Sequence, residues 1–335
     1  MIDKVRWGVL STANIGVAKV IPAMQRGDWC EITAIASRDH AKAEHAARQL
    51  AIPTAYGSYE ELLADRQIEA IYNPLPNHLH VAWTTKAAEA GKHVLCEKPV
   101  ALNAAEATTL LEVRNRTDMR IQEAFMVRTH PRWLATREMI QKGRIGELKA
   151  IHGFFSYFNV DPANVRNIAE IGGGALLDIG CYPITISRFI FGAEPRRVFG
   201  MIERDPETGI DRLTSGILEF ASGRSTFTCS TQLVPYQRMI FFGAKGRIEV
   251  PIPFNAPNDQ HTRILVGDGA DLDAKSAVRM EFLVCDQYTI QGDLFSRAIR
   301  EEEDQPIPLE DAIANMKVID AVFRSAESGR WEEID

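Results

Sequence analysis

Through the first 124 residues, short apolar runs alternate with longer amphipathic stretches. Val5 to Leu10, Glu31 to Ala36, Ala70 to Asn73, His93 to Cys96 and Ile121 to Ala124 have the length and composition of buried strands. Between them, Ile15 to Arg26, Asp39 to Leu50, Ser58 to Asp65, Asn77 to Ala90 and Asn103 to Asn115 read as helices, with Gly91 ending the fourth. Regular strand–helix alternation predicts a parallel, doubly wound sheet. After a helix from Pro131 to Lys142 the pattern changes to successive strands: Glu147 to Phe158, Arg197 to Glu203, Leu213 to Phe220, Arg224 to Thr231, Arg238 to Phe242 and Arg247 to Val250. Turn residues such as Ser222-Gly223 and Ala244-Lys245-Gly246 separate several of them, which points to antiparallel pairing. Helices near Asp286 to Glu302 and Leu309 to Ser328 close the chain.

The 335 residues suit two domains of ordinary size. The expected fold is α/β: an N-terminal Rossmann domain over residues 1–124, then an α+β domain over 125–335 with a large, mostly antiparallel open sheet. The C-terminal helix is expected to pack back on the first domain. A net charge of −7 with no basic block argues against a nucleic-acid surface. Met1 leads straight into the first strand with no signal pattern, and no apolar run is read as long enough to span a bilayer. The five cysteines form no Cys-x-x-Cys pair and are expected to be buried free thiols, so a cytoplasmic protein is expected.

The first strand–helix turn is Ser11-Thr12-Ala13-Asn14-Ile15-Gly16. Small residues there let the backbone approach a pyrophosphate at a helix N-terminus, although Ser11 and Ala13 replace the usual glycines. The second strand ends in Ser37-Arg38, with Asp39 placed to cap the next helix. An acidic residue at that tip would bind a ribose 2′-hydroxyl, whereas arginine accommodates a 2′-phosphate, so NADP is preferred over NAD. Pro74, Leu75, Asn77 and His80 follow the third predicted strand, at the edge where such sheets bind ligands. His80 is expected to face inward beside the nicotinamide ribose. With no carboxylate or thiolate ligand near His78 and His80, no metal is expected.

Lys98 closes an apolar strand in Cys96-Glu97-Lys98-Pro99. Asp178 and Tyr182 are four residues apart and share one helix face. An ammonium beside a phenol stabilises the phenolate, so the three residues would make a proton-transfer site for a hydroxyl or carbonyl substrate. Phe158 and Arg166, just before the glycine run Gly172-Gly173-Gly174, are candidate substrate contacts, aromatic faces beside polar tips being suited to a sugar.

Ser11-Thr12-Ala13-Asn14-Ile15, Pro76-Asn77-x-x-His80, Glu97-Lys98-Pro99, Glu123-Ala124-Phe125-Met126 and Gly173-Gly174-Ala175-Leu176-x-Asp178-x-Gly180-x-Tyr182 together resemble the Gfo/Idh/MocA oxidoreductases over nearly the whole chain. Inositol-type members carry histidine where this chain has Tyr182, so the resemblance points to the branch of NADP-linked sugar dehydrogenases, glucose–fructose oxidoreductase and dimeric dihydrodiol dehydrogenase. It implies an enzyme that transfers a hydride between a monosaccharide or polyol and NADP, with Glu97 orienting Lys98 or the cofactor. Reduction of a dicarbonyl or anhydrosugar, or oxidation of a trans-dihydrodiol, is the alternative on the same fold. A non-catalytic NADP sensor would not need Lys98, Asp178 and Tyr182. The open sheet suggests a homodimer or homotetramer.

Overall fold

The computed structural model describes residues 2–270 and 275–334. The chain divides into two compact units: Met1–Met126 with Asp286–Ile313, and Val127–Cys285 with Ala314–Asp335.

In the first unit, β1 (Val5–Leu10), β2 (Cys30–Ala36), β3 (Thr54–Tyr56), β4 (Ala70–Asn73), β5 (His93–Cys96) and β6 (Ile121–Glu123) form a sheet of order β3-β2-β1-β4-β5-β6. Every pairing in it is parallel. Several of the helices begin where side-chain oxygens cap them. Asp39 accepts from the Lys42 amide at 3.4 Å and starts α2 (His40–Leu50), after a π-helical turn that runs into α1 (Ile21–Gln25). Ser58 accepts from the Glu61 amide at 3.1 Å before α3 (Tyr59–Ala64), and Asn103 from the Glu106 amide at 2.9 Å before α5 (Ala104–Thr117). Between these lies α4 (His80–Glu89), entered through a 3₁₀ turn over Asn77–Leu79. Strand order reverses between β1 and β4, which opens the crevice where such sheets bind ligands.

The second unit holds α6 (Pro131–Gln141), β7 (Leu148–Phe158), a π-helical turn (Leu176–Gly180) continuing into α7 (Cys181–Phe191), and β8 (Arg197–Arg204). There follow β9 (Asp211–Glu219), β10 (Arg224–Ser230), β11 (Gln232–Gly243), β12 (Gly246–Pro251), β13 (Thr262–Gly267), β14 (Val278–Phe282) and β15 (Glu332–Glu333). Among the described residues they form a sheet of order β14-β13-β12-β11-β7-β10-β9-β8-β15. Only β10 and β7 pair in parallel; the other pairs are antiparallel. The mixed α/β architecture agrees with the fold class read from the sequence.

Two expectations are corrected. The sequence boundary left everything after residue 124 in the second domain, yet α8 (Gln287–Arg300) belongs to the first unit. There Phe295 enters the core against Trp7, the Trp7 indole donates to Ser296 Oγ at 3.0 Å, and the Asp293 carboxylate takes the amides of Asp28 and Trp29. The last helix, α9 (Leu309–Ser328), begins in the first unit and continues in the second. Residues Ala169–Phe191 are, by length and composition, apolar enough to cross a membrane, against the sequence reading. With 94% of that window buried, they are core: α7 is covered from Cys181 to Ile190.

Candidate active site

The turn after β1 brings the predicted Ser11, Thr12, Ala13, Asn14 and Ile15 to the carboxyl edge of the first sheet. Ser11 has φ +75°, the left-handed conformation for which glycine is usual, and its Oγ takes the Ala13 amide at 3.2 Å. The serine therefore holds the tight turn that a glycine-rich loop would hold by freedom alone. Small side chains followed by a helical turn fit a pyrophosphate cradle. At the tip of β2, Ser37 Oγ accepts from the Asp39 amide at 3.2 Å, and Arg38 is exposed. Burial raises the Tyr59 phenol's pKa, and the Arg38 guanidinium beside it, hydrogen-bonded to the phenol, pulls against that rise.

At the ends of β4 and β5, buried Asn73 donates to His80 O and Thr84 Oγ1, each at 3.2 Å, while its own oxygen takes the Leu75 amide. Pro74 and Leu75 are buried in this corner, and Asn77 is half-buried. His80 is 0% exposed, with Nδ1 2.7 Å from Pro99 O and Nε2 2.6 Å from Leu75 O. His80 faces inward as expected, and both ring nitrogens are taken by backbone. The two carbonyls favour a doubly protonated ring, but complete burial opposes them and brings its pKa down to about 4. His80 ties the loop after β4 to the turn carrying Lys98. Glu97 is held there by the buried Tyr72 phenol at 2.7 Å and by the Lys98 amide at 3.3 Å. Tyr288 of α8 joins this corner; burial and then Glu97 raise its pKa, with Lys98 opposing. Tyr288 carries no local sequence signal for this site, since α8 joins the first unit from far beyond Lys98 in the chain.

In the second unit the glycine run sets the geometry. A Cβ on Gly173 would press on the carbonyl oxygens of Arg166 and Ile168, and the Gly174 amide donates to Arg166 O at 2.9 Å. The run thereby folds the Arg166 segment against the helical turn carrying Asp178. Asp178 Oδ2 accepts from Arg166 Nε at 3.0 Å and from the Tyr157 hydroxyl at 2.6 Å. Asp178 is the largest influence raising the pKa of Arg166, against burial, with Tyr157 and Tyr182 adding to it. One turn on, Tyr182 is 6% exposed, its ring against Phe155 (centroids 5.8 Å) and Phe254 (5.2 Å). The structure thus brings Tyr157, Arg166, Asp178 and Tyr182 into one electrostatic neighbourhood. Phe158, at the end of β7, is 63% exposed.

The loops of the first unit suit a dinucleotide, and the second unit sets a phenol one helical turn from a carboxylate. A family model described as oxidoreductase family, NAD-binding Rossmann fold, matches residues 5–125, and one described as the GFO/IDH/MocA C-terminal domain matches residues 133–249. An uncharacterized oxidoreductase of Rhizobium meliloti is 49% identical over 99% of this chain and 100% of its own length. The D-xylose 1-dehydrogenase (NADP(+)) 2 of Haloferax volcanii is 36% identical over 98% of this chain and 99% of its own. Among solved structures, the 3-ketoreductase KijD10 from Actinomadura kijaniata, in complex with NADP and TDP-benzene, superposes with a TM-score of 0.89 at 26% identity, covering 96% of this chain and 98% of that one. The chain belongs to the Gfo/Idh/MocA family and is an NAD(P)-dependent oxidoreductase acting on CH–OH groups.

Proposed function

We propose that the protein is an NADP-dependent dehydrogenase of monosaccharides that oxidises an aldose at C1, with Tyr182 as acid–base and Lys98 as the cation that stabilises its phenolate. The observation that carries this reading is the local set in the second unit: a phenol one helical turn from a carboxylate already fixed by Tyr157 and Arg166. The xylose dehydrogenase relative supports a sugar substrate, and exposed Arg38 at the tip of β2 supports NADP.

When bound, the nicotinamide takes up or gives back the hydride. Oxidation at a carbinol also requires its hydroxyl proton to leave, and Tyr182 Oη receives it. A free phenol with a pKa of about 10 is a weak base at neutral pH, and an ammonium nearby corrects that by favouring the phenolate. Asp178 orients a substrate hydroxyl, and Glu97, held by Tyr72, orients Lys98. Arg38 and Ser37 would hold the 2′-phosphate, the turn Ser11–Ile15 would hold the pyrophosphate, and Arg166 and Phe158 would border the sugar. The protein is proposed to work in the cytoplasm as a homodimer or homotetramer. Exposed apolar residues on strands of the large sheet, among them Met201, Val234, Tyr236 and Met280, support the assembly.

Incubation with NADP or NAD and a panel of aldoses, polyols and trans-dihydrodiols, with product identification, tests the reading. An aldonic acid or its lactone formed with NADP supports it. Turnover only of ketones or dicarbonyls with NADPH would replace it with the reductase reading that the resemblance to KijD10 favours.

A further inference from the structure

Asp211, at the start of β9, sits in no sequence motif and plays no part in the proton-transfer scheme. It is 2% exposed. Its Oδ2 accepts from the Leu176 amide at 2.6 Å and from Thr214 Oγ1 at 2.9 Å. Leu176 opens the helical turn that carries Asp178 and continues into α7 with Tyr182. The other carboxylate oxygen lies against Gly174, where a Cβ would strike it and where φ is +117°. The third glycine of the run is therefore required by the close approach of this carboxylate. A buried negative charge on the first amide of a helix is favoured both by the hydrogen bond and by the helix dipole.

We propose that Asp211 is a positioning residue whose carboxylate anchors the start of the Asp178–Tyr182 helix, so that neutralising it displaces the phenol and slows proton transfer. The inference rests on the proposed role of Tyr182. Burial raises the pKa of Asp211 to about 6, against the bonds from Leu176 and Thr214, which lower it. The other groups facing it are Arg204 of β8, which favours the charged form, and the buried Cys229 thiol of β10, itself raised first by burial and then by Asp211. The anchor should therefore release on mild acidification.

The test uses the full chain labelled with ¹⁵N-leucine, the Leu176 amide being assigned by its loss in Leu176→Ile. In the wild type this amide should titrate with a midpoint near 6. In Asp211→Asn the titration should vanish, and in Thr214→Val it should move to higher pH. In steady-state assays kcat should share that acid limb. Asp211→Asn should lower kcat by about tenfold and remove the limb, with KM for NADP unchanged, as displacement of a reacting group by a fraction of an ångström does. A Leu176 amide that titrates alike in Asp211→Asn, or a kcat within about twofold of wild type in that variant, overturns the proposal. If the wild type turns over no sugar or polyol, the functional reading fails while the amide titration still decides whether the anchor exists. Thr214→Val carries the same test should Asp211→Asn fail to fold.

Discussion

Arg132→Leu should destabilise the second unit and loosen the wall behind Tyr182. Arg132 is 1% exposed and aims its guanidinium at three successive carbonyls, Pro251 at 3.2 Å, Ile252 at 2.6 Å and Pro253 at 2.7 Å. The Trp133 indole supports Pro253 O at 3.1 Å, and Ile252 sits at φ +45°, a conformation that a β-branched residue adopts only when held. The next residue, Phe254, stacks on Phe155 at 4.9 Å and packs against Tyr182 at 5.2 Å. Burial brings the Arg132 pKa down to about 10, so the side chain is charged at pH 7 at a desolvation cost of roughly 3 kcal/mol. Three hydrogen bonds from a charged donor contribute about 2 kcal/mol each, which leaves a net loss of about 3 kcal/mol when the side chain is replaced. That corresponds to a fall in Tm of roughly 10 °C for a unit of this size. Thermal melts at pH 7 followed by near-ultraviolet circular dichroism would read it, with kcat reduced and KM for NADP unchanged. A Tm within about 2 °C of wild type would show that the three carbonyls do not depend on the guanidinium.

Gly174→Ala should cost about 3 kcal/mol or more in urea unfolding, because it combines a strained φ of +117° with displacement of Asp211 from Leu176; an unchanged midpoint would contradict the close approach. Acid should weaken the fold. Burial, helped by Arg132, holds the His130 ring down at about 3, and burial, then Arg120, holds His93 at about 4. Both rings bind protons more readily when unfolded, so the stability they confer is full above about pH 6.5 and falls as pH drops towards the folded values. At pH 5 the loss from His130 is roughly 2 kcal/mol, partly offset by Asp211, whose raised folded pKa acts in the opposite sense between about pH 4 and 6. Melts at pH 7 and pH 5 should differ, and His130→Asn should flatten the difference; no flattening would exclude His130 as its source. Arg38→Ala should raise KM for NADP about tenfold and leave KM for NAD nearly unchanged, and equal effects on both would remove the 2′-phosphate assignment.

The first sheet was readable because β1, β4 and β5 are continuous apolar runs and Asp39, Ser58 and Asn103 cap the helices that follow the pattern. β3 is three residues long and too short to carry a period, whereas β14 does alternate Val278, Met280 and Phe282 with Arg279 and Glu281, a strand signal that the expected elements did not include. β13 buries alternate residues but is set between polar segments, which hide its period. The placement of α8 could not be read locally, since its partners Trp7, Asp28 and Trp29 lie more than 260 residues away. The same holds at the site. The one-turn spacing of Asp178 and Tyr182 is legible in the sequence, whereas Arg132 and Asp211 act on atoms supplied by distant segments. His80 was read correctly as inward-facing, but the carbonyls of Leu75 and Pro99 that occupy its nitrogens are visible only in the fold.

The most direct test of the mechanism is the pH dependence of NADP reduction with the best aldose of the panel, compared among wild type, Tyr182→Phe and Lys98→Met, with NADP affinity measured in parallel. The mechanism predicts that Tyr182→Phe loses most turnover while still binding NADP, and that Lys98→Met moves the base-dependent limb of the profile to higher pH as the phenol loses its cation. Turnover near wild type in Tyr182→Phe, or an unmoved limb in Lys98→Met, would contradict it.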